Sequence, residues 1–123
     1  MKKILIIDDE LIIRTSCERT LAPKGYMVTS ASSGAEGLAY LEKEDFGVVL
    51  LDFKMPDMDG MEVLKKIHAS WPSSRVIIIT GYSMVDTAVR ALRSGAYNYI
   101  EKPFTPDKIL SAVKEAFDDL EAK

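Results

Sequence analysis

Ile4-Leu5-Ile6-Ile7-Asp8-Asp9 sets four apolar residues in a row and closes them with two carboxylates, and Val48-Val49-Leu50-Leu51-Asp52 repeats the pattern. A third run, Val76-Ile77-Ile78-Ile79, closes on Thr80. A strand with one wet face alternates apolar and polar residues, whereas one covered on both faces is apolar throughout. These three runs therefore belong at the centre of a parallel sheet. Tyr26-Met27-Val28-Thr29-Ser30 and Tyr97-Asn98-Tyr99-Ile100-Glu101 are more mixed, which suits edges. The predicted strands are Lys3 to Ile7, Tyr26 to Ala31, Phe46 to Leu51, Arg75 to Thr80 and Tyr97 to Glu101.

Segments of helical period separate the strands, so the chain alternates strand and helix from end to end. Ser33 with Glu36, and Asp59 with Glu62, are spaced as capping boxes at two helix starts. Thr105-Pro106 places a cap and an N1 proline before the apolar stripe Ile109, Leu110, Val113, Ala116, Phe117 and Leu120. Gly25 and Gly95 fall where helices should stop. Right-handed crossovers then give an α/β fold: a doubly wound, five-stranded parallel sheet of flavodoxin-like order 2-1-3-4-5, with five helices on both faces. No linker or internal repeat interrupts the pattern, so residues 1–123 are expected to form one domain.

The 123 residues are 47% hydrophobic and 28% charged, a globular mixture that needs no disulfide or metal staple. A net charge of −3 lacks the basic excess that nucleic acid binding requires. The run Ile4 to Ile7 is too short for a signal peptide and nothing later approaches a membrane span, so the chain reads as cytoplasmic. Cys17 is the single cysteine and is expected to be a packed core thiol.

In the order 2-1-3-4-5 the switch point lies between the first and third strands, and a site is expected beyond their carboxyl ends. Those ends are Asp8-Asp9 and Asp52. Three converging carboxylates repel one another, and a hard divalent cation, Mg²⁺ or Mn²⁺, would hold them together and take up phosphate oxygens. Thr80 ends the fourth strand with a hydroxyl and Lys102 the fifth with an ammonium. Taken singly, Asp9 is a helix cap, Asp52 a solvated strand end, Thr80 an ordinary strand residue and Lys102 a surface charge. Together at one mouth they describe phosphoryl transfer onto a carboxylate.

Asp8-Asp9, Asp52 with Met55-Pro56 and Asp59-Gly60, Thr80, and Lys102-Pro103 resemble the receiver domain of bacterial two-component response regulators. The resemblance covers essentially the whole chain. It implies that Asp52 accepts a phosphoryl group from the phosphohistidine of a sensor histidine kinase. It further implies that Asp9 and Asp52 ligate Mg²⁺, that Asp8 helps through water, and that the backbone carbonyl of Lys54 completes the protein ligands. Thr80 and Lys102 would contact the phosphoryl oxygens, Tyr99 would be the switch aromatic that turns inward, and the Lys102–Pro103 bond would be cis.

The stretch from Thr80-Gly81-Tyr82 through Asp86-Thr87-Ala88-Val89 to Lys102-Pro103-Phe104 is similar to regulators of the nitrogen-regulatory type, which act with an alternative sigma factor. The expected role is a phosphorylation-activated switch whose fourth helix, fifth strand and fifth helix regulate an output, transcription above all, through a homodimer or an output domain that residues 1–123 do not include. The alternative is a stand-alone receiver working in a phosphorelay or by protein–protein interaction. By the same resemblance the domain would be no conventional enzyme and would catalyse only its own phosphoryl transfer and dephosphorylation.

Two rivals share the architecture. A flavin carrier needs a Ser/Thr/Gly-rich phosphate loop where this chain has Asp8-Asp9-Glu10. An aspartyl phosphohydrolase places its nucleophile on the first strand with a second acid two positions on, where this chain has Glu10, and adds a cap domain that residues 1–123 do not include. Other conspicuous residues carry less. His68 reads as a solvated helix residue, Trp71 as a cover for the lower edge of the core, and Met55 as a loop anchor. The stripe Val85, Ala88, Val89 and Leu92 reads first as core packing, with Tyr82 and Met84 as candidates for a partner surface.

Overall fold

The computed structural model describes residues 2–81 and 85–122. The elements run β1 (Lys3–Ile7), α1 (Leu11–Leu21), a 3₁₀ turn (Ala22–Lys24), β2 (Met27–Ala31), α2 (Gly34–Lys43), β3 (Val48–Asp52), α3 (Gly60–Ser70), β4 (Arg75–Thr80), α4 (Val85–Arg93), β5 (Asn98–Glu101) and α5 (Pro106–Glu121). The strands form one sheet of order β2-β1-β3-β4-β5 in which every pairing is parallel, as the apolar runs predict. No helix among the described residues is long and apolar enough to cross a membrane.

Side chains alternate across a pleated strand, so each central strand feeds two cores. Leu5, Ile7, Val49, Leu51 and Ile78 pack with Leu41 of α2, Leu64 and Ile67 of α3 and Ala91 of α4. Ile4, Ile6, Leu50, Ile77 and Ile79 pack on the opposite face with Cys17 and Leu21 of α1 and with Ile109, Val113 and Phe117 of α5. Each fully buried aliphatic side chain contributes about 1.5–3 kcal/mol. The edge strands β2 and β5 are only partly covered. Cys17 is sealed in the core, where burial pushes its thiol up to about 12 and leaves it inert. His68 is exposed and Trp71 packs on the core's rim, as their positions imply.

The structure departs from the sequence reading in a few places. On α4, Ala88 and Ala91 are buried whereas Val89 and Leu92 are 39% and 41% exposed, so the small residues face inward and the larger ones face out. Tyr82 and Met84 lie outside the described residues. Ser33 caps α2 by accepting the Glu36 N–H at 3.1 Å, but the Glu36 carboxylate returns to the N–H of Ser32 at 2.6 Å, one residue upstream of a capping box. Asp59 caps the N–H of Met61 at 3.0 Å, because its short arm reaches N2 and not N3. The Thr105 hydroxyl accepts the Lys108 N–H at 3.2 Å, as its spacing implies. Gly25 and Gly95 adopt φ of 95° and 113°, the left-handed conformation that ends a helix.

After β3 the chain doubles back: Lys54 and Asp59 form an antiparallel bridge, and Gly60 starts α3 against Phe53. A Cβ at position 60 would stand 2.6 Å from the Phe53 Cα, which is backbone and cannot turn away. Gly60→Ala is therefore expected to lower stability by about 1–3 kcal/mol. Urea unfolding checks this, and an unchanged midpoint would show that the loop does not depend on that approach.

Candidate functional site

The sheet register carries the candidate residues to one mouth. Asp8 follows β1, and its N–H donates to the Ala31 carbonyl at 3.1 Å. Asp52 is the last residue of β3, paired with Ile79, and Thr80 ends β4 paired with Glu101. The Lys102 N–H donates to the Thr80 carbonyl at 2.7 Å, which ties the end of β5 to the end of β4. The Lys102–Pro103 bond is cis, as the resemblance implies.

Three polar residues are buried here: Asp8, Asp52 and Thr80 are 0%, 2% and 6% exposed. Carboxylates are almost never buried without partners. The Lys102 ammonium lies 3.0 Å from Asp8 Oδ2, 2.9 Å from Glu10 Oε1 and 3.7 Å from Asp52 Oδ1. Asp8 Oδ1 accepts the Glu10 N–H at 2.8 Å, and the Arg14 guanidinium donates to the Asp8 carbonyl at 2.8 Å. Asp52 Oδ1 accepts the Lys54 N–H at 3.1 Å.

One ammonium does not balance these acids. Carboxylate oxygens of Asp8, Asp9, Glu10 and Asp52 all lie within 4.8 Å of one another. Burial, opposed by the Lys54 N–H and reinforced by the charge of Asp8, pushes the Asp52 carboxyl up from 3.8 to about 7. Burial also works to lower the pKa of Lys102, but the carboxylates of Glu10, Asp8 and Asp52 outweigh it and hold that pKa above its ordinary value. Asp8 Oδ2 is fully buried and meets no hydrogen-bond geometry, its neighbour being the Lys102 ammonium at 3.0 Å. Hard oxygen donors, excess negative charge and a buried oxygen without a well-aligned hydrogen bond fit a small divalent cation.

The structure thus brings Asp8, Asp9, Asp52, Thr80 and Lys102 to the carboxyl ends of adjacent strands. Lys54 stands directly beyond, with its N–H on Asp52. Tyr99 stands apart: it is 37% exposed on β5, beside a groove of about 520 Å³ lined by Ile100, Glu101, Pro103, Phe104 and Lys108. A smaller cleft of about 200 Å³, lined by Lys54, Thr80, Thr87 and Arg90 among others, borders the site on the α4 side. Sequence reasoning did not assign Glu10 a place in the site, although a third acid at the end of β1 was its signal. Arg14 offered no signal, because its bond is to a backbone carbonyl.

A doubly wound sheet with this acidic cluster at the switch point defines a CheY-like α/β domain. The response regulator receiver domain protein (CheY-like) from Methanospirillum hungatei JF-1 superposes with a TM-score of 0.95 at 41% identity, over 99% of this chain and 98% of that one. NtrX from Brucella abortus gives 0.94 at 31% identity, over 99% of this chain and 28% of that one. Residues 4–114 match the response regulator receiver domain, and the chain belongs to that family. It is 42% identical to the transcriptional regulatory protein ZraR of Klebsiella oxytoca and 40% identical to the DNA-binding transcriptional regulator NtrC of Escherichia coli K12, each over 92% of this chain. The similarity is thus to the nitrogen-regulatory, sigma-54-dependent type. The chain spans about a quarter of the length of those two relatives, 26% and 24%. The family is a phosphoacceptor signalling domain that binds Mg²⁺ in an acidic pocket and is not a conventional enzyme.

Proposed function

We propose that this domain is a cytoplasmic signalling switch that accepts a phosphoryl group on Asp52 from the phosphohistidine of a sensor histidine kinase. The observation that carries the reading is the burial of Asp52, 2% exposed, with a second buried carboxylate, a hydroxyl and an ammonium at the same strand ends. A structural aspartate gains nothing from a setting that pushes its pKa to about 7. Such perturbation gathers at functional sites.

In the transfer, an Asp52 carboxylate oxygen attacks phosphorus. A P–O bond forms as the P–N bond breaks, and the electron pair returns to the histidine nitrogen. Nothing is oxidised or reduced. Asp9 and Asp52, the Lys54 carbonyl, and Asp8 through water would hold Mg²⁺, with Mn²⁺ as a substitute. The ion would offset the repulsion between Asp52 and the phosphoryl oxygens. Lys102 supplies a point charge and Thr80 a hydroxyl donor to those oxygens.

The output follows from the same groups. As Thr80 turns toward the phosphoryl oxygens it vacates space for Tyr99, now exposed, to fill. This redraws the face of α4, β5 and α5, where Val89, Leu92 and Tyr99 offer apolar area. That face would serve a homodimer or an output domain, and control of transcription fits the relatives. Beryllofluoride with Mg²⁺, a stable phosphoryl mimic, should suffice without turnover. Amide NMR shifts are expected to spread from Asp52 through Thr80 to residues 85–104. Shifts confined to the strand-end loops would mean that the domain binds phosphate without transmitting it.

A further inference from the structure

Glu10 occupies the N-cap of α1, yet its side chain makes no cap hydrogen bond. Glutamate is not among the residues that cap well, and its longer arm is free to reach elsewhere. The Glu10 carboxylate instead crosses to β5 and takes the Lys102 ammonium at 2.9 Å, while its own N–H is anchored on Asp8 Oδ1 at 2.8 Å. Asp52 Oδ1 is left 3.7 Å from the same ammonium, beyond hydrogen-bond distance. Glu10 is 57% exposed and the Lys102 side chain 13%, so the pair spans the rim of the site, and the ammonium is drawn outward along it.

Accepting the reading of Asp52 as the phosphoryl acceptor, we propose that Glu10 is a positioning residue that holds Lys102 at the rim of the resting site, so that transfer to Asp52 requires the ammonium to exchange Glu10 for a phosphoryl oxygen. An ammonium has three donors and no acceptor, and in the resting domain two of them face Glu10 and Asp8. The incoming phosphoryl group competes for one of these. The Glu10 contact exists before transfer and is given up during it, so it stabilises the ground state more than the transition state. Removing such a contact raises the rate.

Glu10→Gln keeps the length and shape of the side chain and removes its charge. Labelling of Asp52 by acetyl phosphate at saturating Mg²⁺ is expected to become about two- to five-fold faster, the range for an ion pair with one exposed partner. The ratio of variant to wild-type rate should fall toward one as ionic strength rises, because salt screens the contact. Glu10 is one of the four clustered carboxylates, so Mg²⁺ affinity is measured for each protein by calorimetry and the rates are compared at saturating Mg²⁺ for both. A rate at or below wild type at saturating Mg²⁺, or a ratio that ignores salt, would overturn the proposal.

A second arm reads the contact without phosphoryl transfer. Competitive acetylation of the metal-free protein by acetic anhydride, mapped by peptide, should label Lys102 at least about two-fold faster relative to exposed Lys24 in Glu10→Gln than in wild type. Equal labelling would overturn the proposal. Wild-type protein that takes no phosphoryl group would defeat the acceptor reading, and the acetylation arm would still decide whether Glu10 holds Lys102.

Discussion

Asp52→Asn is expected to take no label from acetyl phosphate or from a phosphorylated kinase, and to make the metal-free domain more stable above neutral pH. The loss of label follows because the amide has no nucleophilic carboxylate oxygen. The gain in stability follows from the same burial that readies Asp52 for its work. Unfolded, the carboxyl ionises near 3.8, and folded near 7. Between those values the folded state holds a proton that the unfolded state has released. Stability from this group is therefore intact below about pH 4, falls as pH rises through the window, and is lowest above about pH 7. Asparagine keeps the shape and still accepts the Lys54 N–H, but carries no charge to desolvate. Its advantage in urea unfolding with chelator present should grow from near zero at about pH 4 to a few kcal/mol at about pH 8. Full labelling of the variant, or an advantage that shrinks with rising pH, would contradict the assignment.

Asp8→Ala with Asp9→Ala is expected to give a folded domain that Mg²⁺ no longer stabilises and that acetyl phosphate no longer labels. A ligand that binds only the folded state adds about 2.7 kcal/mol at a hundred times its dissociation constant. Wild-type protein should therefore melt at a higher temperature as Mg²⁺ is added. The double variant should not respond, because removing two of the four clustered carboxylates removes both the charge and the oxygens that attract the ion. Without metal it should be as stable as wild type or more so, since the charge of Asp8 is one of the causes that raise the Asp52 pKa. Asp8 also pairs with Lys102, which retains Glu10 as a partner in the variant. Thermal melts with and without Mg²⁺ check both halves, and a double variant that still gains stability from Mg²⁺ would place the cation elsewhere.

Burial on two faces made the central strands legible. Ile4–Ile7 and Val76–Ile79 could not be wet on either side, and the structure buries every one of them. Because strand order places the switch point, the same runs also located the mouth where Asp8, Asp52 and Thr80 gather. Boundaries were less legible. Asp52 is itself a strand residue, held by its ladder to Ile79, although an acid at the end of an apolar run looks like the start of a loop. Tyr26 and Tyr97 each precede a strand, since aromatics pack beside an edge as readily as within it. The outward turn of Val89 and Leu92 was hidden because an apolar stripe looks the same whether it faces a core or a partner. The link between Glu10 and Lys102 joins residues 92 apart in the chain, and no local spacing encodes it.

The central claim is that Asp52 accepts a phosphoryl group through the cluster at the strand ends. Incubation of the wild-type domain with acetyl phosphate, with and without Mg²⁺, followed by intact mass and peptide mapping at low temperature, tests it most directly. The account predicts a gain of one phosphoryl group, dependent on Mg²⁺, confined to the peptide that carries Asp52 and reversed by hydroxylamine. A phosphoryl group mapped to another residue, or none acquired with Mg²⁺ present, would contradict it.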